Sequence, residues 1–148
     1  MEKNKIAWCL KQKKGIELIK PNNNLSNQYF KEAEETLEEI KGKQSKWETI
    51  MAYYACYNAL YAILMKAGIK CEIHDCTIEL INVISGCTKE DYNLMLSLKE
   101  KRIQAQYYLK KVFIDDLKDI KSFIFKCREI SESLDINELR GRLNDKKK

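Results

Sequence analysis

The chain has 148 residues, 33% of them charged and 45% hydrophobic, with a formal net charge of +5. Its length suits one domain with a sizeable core, and the hydrophobic fraction excludes a disordered chain. Five Gly and one Pro are about a third of the usual allowance, far too few for a sandwich or barrel that turns every ~8–12 residues.

The charge is unevenly placed. Residues 1–20 carry +4, residues 140–148 carry +4, and the stretch between them carries −3. A generic nucleic-acid binder carries its basic patch on the folded body, so net charge alone does not indicate one. The start, MEKNKIAWCLKQKK, has charges too closely interspersed for a secretory core. Ile50–Met65 is apolar over only 16 residues and includes four Tyr and Asn58, short of the ~20 needed to span a membrane. The expectation is a soluble cytoplasmic protein without membrane contact, whose six Cys stay reduced.

In chain order, residues 3–13 read as a short helix around Ile6, Trp8, Cys9 and Leu10, ending near Gly15. An extended segment leads to Pro21 and an Asn-rich turn. A second helix is capped by Asn24 or Ser26, buries Phe30, Ala33, Leu37 and Ile40 on one face, and ends at Gly42. Ser45 with Glu48 reads as a capping box for a third helix running to Ala67 and stopped by Gly68. This helix is apolar on most of its circumference, including Tyr53, Tyr54, Tyr57 and Tyr61. That pattern marks a central helix or one shared with a second subunit, which makes a homodimer the expectation.

Ile69–Asp75 reads as a connector, and Thr77–Ser85 as a short helix. Thr88 with Asp91 opens the next helix, and a bend is expected near Tyr107–Val112. The last long helix runs from about Ile114 to Leu134, with a short amphipathic piece and a frayed basic end beyond. The fold class is all-α, an up-and-down antiparallel bundle of four to six helices. Its parts are an N-terminal helix and connector over 1–25, the bundle over 26–134 and a basic tail over 135–148. The tail is a possible contact for RNA or an acidic partner.

There is no phosphate loop, zinc-protease motif, serine elbow or paired Cys-x-x-Cys. Cys71, His74, Cys76 and Cys87 have the ligand chemistry for zinc. Their spacing matches no common module, so semi-buried thiols are the preferred reading and no cofactor is expected. His74, the single histidine, has the titration range of an acid–base group, although a structural hydrogen-bonding role is commoner at a helix entrance. Arg102 shares a face with Leu98 and Ala105, which brings its guanidinium to an inner cleft, while Tyr107 and Tyr108 offer stacking surfaces. Taken by itself, the plainer expectation is an Arg paired with a carboxylate of the body beside ordinary core Tyr.

The run Trp47…Ala52-Tyr53-Tyr54-Ala55-Cys56-Tyr57-Asn58-Ala59-Leu60…Leu64…Gly68-Ile69…His74, followed by Arg102-x-x-Ala105-x-Tyr107, resembles the HEPN family, the higher eukaryote and prokaryote nucleotide-binding domains. The resemblance covers about 26–134 and is closest to the small stand-alone branch. It implies a helical homodimer, often partnered by a minimal nucleotidyltransferase in toxin–antitoxin-like pairs. Many members are metal-independent ribonucleases with Arg-x4-6-His at the dimer cleft. Here those positions hold Tyr107, Tyr108 and Leu109, and Gln106 replaces the branch's Asp. A Tyr is a poor base at neutral pH. The resemblance therefore favours a binding module for nucleotide or RNA around Arg102, Tyr107, Tyr108 and His74. The alternative is a ribonuclease toxin using Arg102 with His74 or Tyr107; a scaffold with a dimerisation helix is a third reading.

Overall fold

A computed structural model describes residues 5–147. The expected helix over 3–13 begins partly outside the described residues, as the basic end does at Lys148. Within them are seven α-helices: α1 (Lys5–Lys11), α2 (Asn23–Glu38), α3 (Lys46–Ala67), α4 (His74–Glu79), α5 (Lys89–Tyr107), α6 (Leu117–Glu132) and α7 (Ile136–Lys146). A 3₁₀ turn over Leu80–Val83 extends α4. The expected range was four to six, and the added helix comes from α7, which continues through Asn144 and Asp145 instead of fraying.

Four helices form an up-and-down bundle. Ser26 Oγ donates to the Ala62 carbonyl at 2.6 Å, setting α2 antiparallel to α3. Arg102 meets Tyr54, and Thr49 meets Val112, setting α5 antiparallel to α3. Lys126 meets Asp91 at 2.8 Å, and Lys101 meets Asp115 at 3.0 Å, so α6 runs antiparallel to α5. Arg128 reaches Glu34 at 2.9 Å and closes α6 onto α2. The core is the interior of this ring, with Tyr53, Leu60, Ile63 and Leu64 of α3 at its centre.

Because α2, α5, α6 and α7 all pack on α3, most of its apolar circumference is covered within one chain. A second subunit is therefore not needed to bury the centre of this helix, while Ile50, Met51 and Tyr54 stay half-exposed.

Local chemistry explains the helix boundaries. Asn22, rather than Asn24 or Ser26, caps α2 by accepting from Leu25 N at 2.9 Å, and Ser26 lies buried inside the helix. The helix ends at Glu38, before Gly42. Ser45 caps α3 as expected, accepting from Glu48 N, but the Glu48 carboxylate does not close a box. It reaches back to accept from the backbone N–H groups of Lys41, Gly42 and Lys43, each at 2.9 Å. Thr88 and Asp91 do form a reciprocal capping box on α5.

Gly68 ends α3 at φ 74°, and a Cβ there would lie 2.4 Å from the Ile19 carbonyl oxygen. That oxygen belongs to the segment after β1 (Glu17–Leu18), which pairs antiparallel with β2 (Ile69–Lys70) inside the expected connector. α4 starts at His74, three residues before the expected start at Thr77, and includes Cys76.

The expectation of six reduced thiols fails. Cys9 of α1 and Cys76 of α4 face each other in the core, both fully buried, and form a disulfide; the other four are free thiols. No helix among the described residues is long and apolar enough to cross a membrane.

Candidate functional site

The middle of α3 turns Tyr53, Tyr57 and Tyr61 toward the β2–α4 connector at i, i+4 spacing. Their rings stack in sequence, with centroids 5.6 and 6.1 Å apart. Each hydroxyl is held from the connector or α4. Tyr61 Oη accepts from Cys71 N at 3.0 Å, Tyr57 Oη donates to Thr77 Oγ1 at 3.0 Å, and Tyr53 Oη lies 2.8 Å from His74 Nδ1. The imidazole of His74 lies flat on the Tyr57 ring at 4.3 Å. Asp75, the next residue, forms an ion pair with Lys99 and ties the start of α4 to α5. Thus three of the four tyrosines of the α3 run, Tyr53, Tyr57 and Tyr61, build an interior ladder, on which α4 presents its histidine.

Arg102 enters from α5. Its guanidinium carbon lies 4.7 Å from the Tyr53 ring centroid and 5.5 Å from that of Tyr54. Its Nη1 donates to Tyr54 Oη at 3.1 Å and to Gln106 Oε1 at 3.4 Å. The residue is only 9% exposed, and its Nε is buried without a hydrogen-bond partner among the described residues. A buried unpaired donor on a charged group is costly. No carboxylate neutralises this guanidinium within ion-pair distance among the described residues. Two aromatic faces offset part of that cost through cation–π attraction.

The electrostatics follow from this crowding. Burial pushes the Tyr53 hydroxyl well above the ordinary phenol range, although Arg102 acts in the opposite direction. Burial lowers the pKa of His74, and the Arg102 charge lowers it further against the opposing pull of Asp75. The imidazole is therefore neutral around pH 7 and supplies little of the protonated acid that a phosphodiester-cleaving pair needs.

Of the residues singled out in the sequence, Arg102 and His74 come together, both against Tyr53. Tyr107 and Tyr108 stand apart as exposed rings at the end of α5, and the polar partners of Arg102 are Tyr54 and Gln106. Sequence reading passed over Gln106 as a partner, although it lies one turn from Arg102 on the same helix face. The possible zinc set does not assemble. Cys76 is bonded to Cys9, and His74 Nδ1 is engaged by Tyr53. No group of three or more His, Cys, Asp or Glu among the described residues is arranged to hold a metal.

No curated protein and no solved structure matches the chain. A family model, described as the HEPN domain, matches residues 25–137. That span includes most of α2, all of α3 to α6 and all of the ladder, with Arg102 and His74. The chain therefore belongs to the HEPN domain family.

Proposed function

We propose that the protein is a HEPN binding module that takes a nucleotide or RNA phosphate at Arg102, acts as a homodimer and pairs with a minimal nucleotidyltransferase. One observation carries the reading: a buried guanidinium fixed by Tyr53, Tyr54 and Gln106, with no carboxylate partner and an unsatisfied Nε. A planar, permanently charged donor fork held in this way suits phosphate. His74 holds the hydroxyl of the same Tyr53.

Titration with adenosine monophosphate and with a short oligouridylate, using wild type and Arg102→Gln, tests the site. A loss of at least about tenfold is expected in the variant, as for a lost charge-assisted hydrogen bond; equal binding by both proteins would sink the reading. Light scattering on the purified chain tests the dimer, and co-purification with a minimal nucleotidyltransferase tests the pairing. The proximity of Arg102 and His74 to one tyrosine favours the ribonuclease as second reading. RNA cleavage that Arg102→Gln abolishes would promote it above the first.

The single histidine offers a further check. Its ring proton resonance should titrate below the ordinary value of 6.5 and move back up in Arg102→Gln. The folded pKa is depressed, so the His74 contribution to stability is present above 6.5 and is lost as pH falls through the folded value.

A further inference from the structure

Dividing the charge along the chain conceals a basic surface that folding assembles. Residues 41–47, KGKQSKW, and residues 107–111, YYLKK, together hold five Lys and no Asp or Glu. Excluding them, the stretch 21–139 carries −8 instead of −3. In the fold the two segments form opposite sides of one groove, with Gln44–Lys46 on one side and Leu109–Lys111 with Phe113 on the other.

Seven large hydrophobic side chains are exposed among the described residues, and four of them stand on these two segments: Trp47 at 62%, Tyr107 at 64%, Tyr108 at 68% and Leu109 at 70%. Exposed aromatics concentrated among lysines are unlike the scattered apolar residues of an ordinary surface.

The groove is also held in shape. Glu48 gathers the backbone N–H groups of Lys41, Gly42 and Lys43 inward, and both lysines are exposed. Lys41 Nζ also donates to the Glu38 carbonyl. Thr49 Oγ1 donates to the Val112 carbonyl at 3.0 Å, and Lys110 N donates to the Gln104 carbonyl at 3.0 Å. Gln44 and Leu109, one on each side, both have φ of 53°. Left-handed backbone is costly for these residue types and persists where the surroundings impose it.

We propose that this groove is a binding face for single-stranded nucleic acid, with the lysines following the phosphates while Trp47, Tyr107 and Tyr108 stack on bases. Lysines supply point charges for phosphates, and exposed aromatic faces accept unpaired bases of any sequence. A second copy of the chain docked here across a two-fold axis would set five lysines against five, a like-charge contact that disfavours association. A duplex keeps its base faces stacked and would leave the three rings unused. The proposal goes beyond the nucleotide-or-RNA reading of Arg102 and stands or falls separately from it, although Gln106, which accepts from Arg102, directly precedes Tyr107 in the chain.

Fluorescence anisotropy with a labelled oligouridylate of about 12 nucleotides, a length within the range of such sites, tests the proposal. The matching deoxy strand, an RNA duplex, Trp47→Ala, the double variant Lys110→Ala/Lys111→Ala, and Arg102→Gln complete the experiment. Wild type should bind both single strands more tightly than the duplex, and preference between the two strands reports contact with the 2′-hydroxyl. Trp47→Ala should weaken binding about tenfold, as expected for a lost base stack. The double lysine variant should lower the slope of log affinity against log salt by ~1.4, at ~0.7 per phosphate contact.

Failure of wild type to bind at low salt, tighter binding of the duplex, or unchanged binding by the groove variants would each overturn the proposal. So would groove variants that alter the oligomeric state in place of binding, which would assign the face to a second copy. If Arg102→Gln alone loses binding, the groove falls and the Arg102 reading stands. If only the groove variants lose it, the Arg102 reading falls and the groove stands.

Discussion

Arg140 on α7 turns inward and Arg142, although exposed, reaches a backbone carbonyl, whereas Lys46, Lys110 and Lys111 line an open groove. Arg140 Nη1 donates to the carbonyls of Ile19, Ala67 and Gly68 at 2.8, 3.0 and 2.8 Å, and Arg142 Nη1 donates to that of Val83 at 3.1 Å. Two of the carbonyls Arg140 meets lie at the end of α3, where the helix leaves its last acceptors unpaired and carries partial negative charge. The lysines have no such fixed ring of acceptors. Of the five positive residues near the C-terminus that sequence reading held open for RNA or an acidic partner, these two arginines donate to backbone carbonyls, while Lys146 and Lys147 are exposed.

This contrast predicts a gradient of stability effects. The inward side should be the more sensitive. The Cys9–Cys76 disulfide joins residues 67 apart, and a loop of that size contributes about 4 kcal/mol in the chain-entropy account. Urea unfolding with and without reductant should differ by that order, and Cys9→Ala/Cys76→Ala should match the reduced protein. Arg140→Ala should cost about 3 kcal/mol in the same assay, because it strips a charged donor from three carbonyls.

Glu48→Gln, which loosens the base of the groove, should cost about 1–2 kcal/mol at pH 7. Burial pushes the Glu48 carboxyl up, and its three backbone donors more than offset this, leaving its pKa below the ordinary 4.5. Its contribution is therefore present above 4.5 and lost as pH falls through the lower folded value, and the variant should lack that part of the acid slope. Lys110→Ala/Lys111→Ala should change stability by less than about 0.5 kcal/mol, as exposed substitutions usually do. A large loss there would erase the distinction between the two regions.

Much of the bundle was legible because its signals are local. The face of Phe30 and Ala33, Ser45 and Gly68 at the two ends of α3, and Thr88 with Asp91 all act within a few residues. What stayed hidden depends on approach between distant segments. Cys9 and Cys76 carry no spacing that marks a pair, and Glu48 serves the preceding loop instead of its own helix cap. β1 and β2 are two-residue strands that leave no periodicity. At the site, Arg102 on an inner face was readable from its neighbours Leu98 and Ala105. Its setting between Tyr53 and Tyr54 required the packing of α5 on α3. The lysine groove was hidden for the same reason, since each half is a short basic loop of no distinction alone.

For the proposed binding, the unpaired Nε of Arg102 has a consequence for how ionic strength would divide a ligand's attachment. That donor is withdrawn from water by folding itself, so an arriving anion need not dehydrate it. Counterions that gather on open lysines must be released each time a phosphate docks, and added salt opposes that release. A ligand engaging both places would have a component that weakens steeply with salt and one that persists. The persistent part should be common to a mononucleotide and a strand, and the salt-sensitive part should belong to the strand.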